Sequence, residues 1–112
     1  MSFFNAHLSN SDISTISACL SILPDTISEI SGVSPIAIAS LLSSALHALE
    51  TLSVRSSRVH SSEISAIYSA LYLADMVNQG DLIVDADVAQ ICRQHRAGIE
   101  KLLPLFENHP HR

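Results

Sequence analysis

Between residues 13 and 30 six large apolar side chains, Ile13, Ile16, Leu20, Leu23, Ile27 and Ile30, follow one another in steps of three, four, three, four and three, with Ile22 outside the series. On an α-helix that spacing places all six on one stripe, whereas a strand would divide them between opposite faces. The chain therefore has to bury a long helical seam against further elements. The seam predicts a helix over about residues 11–31. Asn10 or Ser11 can cap it and Asp12 favours its first turn. Pro24 lies inside the stripe and lacks the N–H that would bond to the Leu20 carbonyl. The seam keeps phase across it, so a kink is expected rather than a break. Gly32 is placed as the stop.

Three more segments carry helical patterns. Ser34-Pro35, a cap residue followed by proline in the first helical position, opens a segment with the stripe Ile38, Leu41, Leu42, Ala45, Leu49 and Leu52. His47 falls opposite that stripe, beside Ser40, Ser43 and Ser44. A loop from Ser53 to Ser61 leads to a helix over about 62–78, ended by Gly80. That helix is apolar nearly all round: Ile64, Ile67, Leu71 and Ala74 form one face, and Ala66, Ala70, Leu73 and Val77 another. The last segment begins near Asp85 with Val88, Ile91, His95, Ile99 and Leu102 in register, and Pro104 is expected to end it. His95, in an apolar stripe, needs a polar partner, and Asp75 is a candidate. Helices of this length joined by short connections predict an all-α fold, an up-down antiparallel bundle of about four helices with the first kinked at Pro24.

Composition bounds the rest. A chain of 112 residues, 47% hydrophobic and 15% charged, is expected to fold as one domain over 1–112, with residues 1–10 as a flexible arm and 107–112 as a polar tail. The stretch from Met1 to Val54 contains no Lys or Arg but carries Asp12, Asp25, Glu29 and Glu50, and the whole chain sums to −5. That balance disfavours nucleic acid and suits a protein partner with a basic surface. The longest apolar stretch, Pro35 to Leu49, is broken by serines and His47, so no membrane span is expected. The N-terminus has neither a basic region nor a long apolar run, which implies no secretory signal and a cytoplasmic location. Cys19 and Cys92 lie far apart without metal-ligand spacing and read as two buried free thiols. No spacing calls for a metal or another cofactor.

Two constellations could carry chemistry. Arg55 and His60, in R-x4-H spacing, resemble the signature of HEPN ribonucleases, small helical bundles that dimerise. The resemblance implies that Arg55 stabilises charge on an RNA phosphate while His60 transfers protons. Ser56 departs from the polar residue usual after the arginine. The segment Ala45-Leu46-His47-Ala48-Leu49-Glu50-Thr51 is similar to the histidine phosphotransfer domains in its H-x-L element, which implies phosphoryl transfer on His47. Glu50 and Thr51 stand where that family has Lys and Gly, and Glu50 would repel a phosphate.

Neither constellation is complete. The leading expectation is a non-catalytic interaction module, an inhibitor, anti-activator or immunity-type regulator that binds and occludes a partner protein. Ile22, taken as exposed, would anchor the partner, with Asp25 and Glu29 as an acidic rim. Tyr72, Leu73 and Val77 would form a homodimer interface, because three neighbouring helices cannot cover both apolar faces of the third segment.

Overall fold

The computed structural model describes residues 3–4, 9–30, 32–53 and 59–107. Among them the chain forms five helices: α1 (Asn10–Ile27), α2 (Pro35–Ser53), α3 (Ser61–Gln79), α4 (Ala86–Gln94) and α5 (Arg96–Glu107). A two-residue antiparallel pair, β1 (Phe3–Phe4) with β2 (Val59–His60), sets Phe3 opposite His60 and Phe4 opposite Val59. β1 thus lies within the stretch expected to be an arm.

The local signals explain most element ends. Ser9 is the N-cap of α1 and shares a capping box with Asp12: each backbone N–H donates to the other's side chain, at 3.0 and 3.1 Å. The helix passes through Pro24 to Ile27, short of Gly32. Beyond it, turn bonds from Glu29 N–H to the Thr26 carbonyl and from Ile30 N–H to the Ile27 carbonyl carry the chain on, so Ile30 still packs on the core. At α2 the Ser34 hydroxyl accepts from the Ala37 N–H, the cap that the Ser-Pro pair announces. Gly80, with φ of 83°, ends α3 in a Schellman motif: its N–H donates to the Val77 carbonyl and that of Asp81 to Met76.

The last segment differs from its expectation twice. It is two helices, divided at His95, whose φ of −106° and ψ of 15° leave the helical region. Pro104 does not end α5, which continues to Glu107. Continuing the helix extends the stripe Ile99, Leu102 and Phe106, all fully buried, while Pro104 stays exposed. Burying a phenylalanine is worth about 2–3 kcal/mol, comparable with the cost of an interior proline.

α1 and α3 form the centre, each packed against all the other helices; α2 rests on one side of them and the α4–α5 pair on the other. The predicted seam of α1 is buried at Ile16, Leu20, Leu23 and Ile27. A second seam, Asp12, Thr15, Cys19, Ile22 and Thr26, repeats the spacing one residue earlier and is equally buried. Its first members meet α5. Lys101 Nζ donates to the Asp12 carboxylate at 3.1 Å, and the Thr15 hydroxyl lies 3.3 Å from His95 Nδ1, so Thr15, not Asp75, is the partner of His95. A Cβ on Gly98 would lie 2.6 Å from Thr15 Oγ1 and 3.1 Å from Thr15 Cγ2, so only glycine lets α5 approach α1 this closely. Ile22 belongs to this seam and is 5% exposed, which corrects its expected place on the surface.

The division of α4 from α5 gives α3 four helical neighbours in place of three. Its second face is largely covered within the chain: Ala66, Ala70 and Leu73 are buried, Leu73 towards Ile27, Ile30 and Leu41, and Val77 is half-buried, while Tyr72 remains exposed. Leu73 and Val77 are thus not the open surface expected for a dimer.

Gly98→Ala is expected to lower stability by roughly 1–2 kcal/mol in urea unfolding, because overpacking against Thr15 outweighs the gain in helix propensity. In a Thr15→Ala background the same change should become neutral or stabilising, which a double-mutant cycle would detect. Asp12 supplies an acid dependence. Burial opposes its ionisation, but the Ser9 N–H, the Lys101 ammonium and the Ser9 hydroxyl more than offset this and hold its pKa below the ordinary 3.8. Its stabilisation is present above pH 3.8 and disappears as the pH falls through the lower folded-state value. Asp12→Asn should flatten that acid limb of the stability–pH curve.

Candidate functional site

α1 ends at Ile27 with no basic residue in its last turn, so its carbonyl end keeps its partial negative charge. Asp25 and Glu29, four residues apart, project there into solvent. The connection from α3 to α4 passes alongside. Asp25, Ser28 and Glu29 on one side and Ile83, Val84, Asp85 and Val88 on the other enclose a cleft of about 240 Å³. Among the described residues, three carboxylates and no cation line it. Asp85 is the N-cap residue of α4, yet its side chain makes no capping hydrogen bond and is exposed. Ile83 is 83% exposed, an apolar side chain held in water between acidic neighbours. The Ser28 hydroxyl donates to the Asp25 carbonyl at 2.8 Å, which satisfies part of the helix end.

The structure brings Asp25 and Glu29 together, as their spacing implies, and adds Asp85 and Ile83. Ile22 lies one turn before Asp25 but is buried, so the exposed apolar group beside the acidic pair is Ile83. In sequence, Asp81-Leu82-Ile83-Val84-Asp85 offers apolar residues flanked by acids, but nothing local shows that it lies against the end of α1.

The other candidates are dispersed. His47 is exposed on α2 with Ser40 and Ser43, while His95 is half-buried between α1 and α5. Arg55 lies outside the described residues. His60 is placed by its backbone in β2, and its side chain is not among those described. Among the described residues, no three His, Cys, Asp or Glu side chains gather as metal donors, and no helix is long and apolar enough to cross a membrane. Tyr68 and Tyr72 stack with ring centroids 5.9 Å apart.

Cys19 and Cys92 are free and buried. Burial, reinforced by Cys92 nearby, pushes the Cys19 thiol up to about 12. Burial also raises Cys92. Both thiols are therefore held protonated and unsuited to nucleophilic chemistry. Against known protein families, curated proteins and solved structures, nothing matches this chain.

An unfolded Cys19 ionises near pH 9, whereas the folded one stays protonated until about pH 12. Its contribution to stability is full below pH 9 and is lost as the pH rises towards 12. Cys19→Ala should therefore flatten the alkaline limb of a stability–pH curve. In the wild type, thiol-reactive dye should modify both cysteines only as fast as the protein opens.

Proposed function

We propose that the protein is a non-catalytic interaction module that regulates or inhibits a partner protein by holding a basic, amphipathic stretch of it in the cleft between α1 and α4. The observation that carries this reading is the cleft lining, three carboxylates around a largely exposed isoleucine with no cation among the described residues. Such a surface can seat an apolar side chain of a partner on Ile83 and pair its Lys or Arg side chains with Asp25, Glu29 and Asp85. Apolar contact at the centre supplies most of the affinity and fixes the dissociation rate. Exposed carboxylates at the rim chiefly raise the association rate, in a salt-dependent way. Against phosphotransfer, Glu50 stands where such a site would need a cation. Free buried thiols suit a reducing compartment, and the reading places the protein in the cytoplasm.

The test begins with capture of the partner from its native cell by the full chain, followed by binding kinetics. Asp25→Lys with Glu29→Lys should slow association roughly tenfold and reverse its salt dependence. Ile83→Asp should instead speed dissociation, and His47→Ala should change neither rate. A partner bound equally well by the charge-reversed and Ile83→Asp variants would refute the cleft. Loss of activity in His47→Ala or His60→Ala with binding intact would point to chemistry instead.

A further inference from the structure

The chain has two cysteines, Cys19 on α1 and Cys92 on α4, each 1% exposed and each a free thiol. Contacts on either side of them fix which way they face. At one end the Thr15 hydroxyl lies 3.3 Å from His95 Nδ1. At the other, Asp25, Ser28 and Glu29 at the end of α1 share the cleft with Asp85 and Val88 at the start of α4. α1 and α4 therefore run antiparallel. Cys19 is one turn beyond Thr15, and Cys92 is one turn beyond Val88 and one turn short of His95, so each lies on the face that carries these contacts. From the Thr15–His95 contact, Cys19 is displaced about 6 Å along α1 and Cys92 about 4.5 Å along α4, in the same direction. Packed helices have axes about 8–10 Å apart and Cα atoms about 2.3 Å from each axis, which leaves about 4–6 Å between facing Cα atoms. A disulfide spans roughly 4.4–6.8 Å between Cα atoms. Cys92 is also close enough to add to burial in raising the Cys19 thiol.

We infer that Cys19 and Cys92 are a redox pair that closes to an internal disulfide under oxidation and staples α4 to α1. In the closed fold both thiols stay protonated, so exchange begins when α4 opens. α4 has only nine residues, and its N-cap residue Asp85 makes no side-chain capping bond, so it is the lighter of the two helices to displace. The oxidant is a small disulfide, such as oxidised glutathione. In the opened form Cys92 loses its proton to water, and its thiolate attacks one sulfur of that disulfide, breaking the S–S bond and releasing one glutathione thiolate. On closure Cys19 gives up its proton, and its sulfur displaces the second glutathione from Cys92. Two protein thiols and one oxidised glutathione thus give one protein disulfide and two glutathione thiols, the protein losing two electrons and two protons. The new bond closes a loop that contains the whole of α2 and α3, and long loops gain most from such closure. Stapled in this way, α4 cannot leave α1. The inference stands independently of any partner in the cleft, since it is read on the chain alone.

The test is equilibration of the full chain in glutathione buffers of graded ratio, followed by acid quench, alkylation, intact mass and peptide mapping. The expected product is a single chain lighter by two hydrogens, with the Cys19 and Cys92 peptides linked, an unchanged helical circular dichroism signal, and return to the free thiols in dithiothreitol. The same titration in urea gives the effective concentration of one thiol for the other in the unfolded chain. In the folded chain it should be greater by roughly a hundredfold or more, the factor by which the staple favours the folded state. Cys92→Ala should lose the gain in urea midpoint that oxidation gives the wild type. If that variant fails to fold, the comparison of folded with unfolded wild type still decides. Disulfides between chains, glutathione retained on both cysteines, an effective concentration no higher folded than unfolded, or an oxidised chain that has lost helical signal would each overturn the proposal.

Discussion

The contact of Gly98 with Thr15 governs how the last third of the chain is arranged. It lets α5 lie against α1 with no Cβ between them, and it brings His95 and Lys101, one turn to either side, to Thr15 and Asp12. A single continuous helix from Asp85 would place one stripe of side chains along one direction. The break at His95 lets α4 and α5 meet α1 and α3 independently. The start of α4 thereby comes beside the end of α1, where the acidic cleft forms.

The seam that anchors α5 is polar at several positions, and this matters for specificity. Asp12 is nearly covered, yet its two oxygens accept from Ser9 and Lys101 separately, so capping of α1 and docking of α5 share one carboxylate. Buried polar groups stabilise only when their partners are in place. An α5 displaced by one turn would leave Asp12 without its ammonium partner and Thr15 without His95. At the far end, the Asn78 amide donates to the Cys92 carbonyl at 3.0 Å and ties α3 to the last turn of α4. Polar links thus set the register of elements whose apolar faces would tolerate sliding.

The contrast between the two seams of α1 shows what was legible in the sequence. Ile13 to Ile30 could be read because every position is large and apolar. Asp12, Thr15, Cys19, Ile22 and Thr26 keep the same spacing, but most are residue types that commonly face water, and the α1–α5 partners of Asp12 and Thr15 lie 89 and 80 residues away. The pattern alone therefore leaves Ile22 facing solvent. Ser34-Pro35 and Gly80 were legible because capping is chemistry of adjacent residues. Pro104 was misleading for the converse reason: a local rule yielded to the burial of Phe106, which only tertiary structure reveals. At the site, Asp25 and Glu29 stood out in a stretch free of cations, whereas Asp85 and Ile83 join them only through the fold.

α2 buries the smallest share of its described side chains. It rests on α1 and α3, and of its described side chains only Ala45 and Ala48 are buried, two of the smallest residues available. Detaching it would expose the partly covered Ile38, Leu41, Leu42 and Leu49 and leave the α1–α3 pair braced by α4 and α5. Stability within one fold is graded in this way, with weakly packed elements opening at a fraction of the global free energy. The amide hydrogens of α2 should therefore exchange with solvent through partial openings that leave those of α3 protected. The helix that carries His47 is thus also the part of the described chain most readily remodelled.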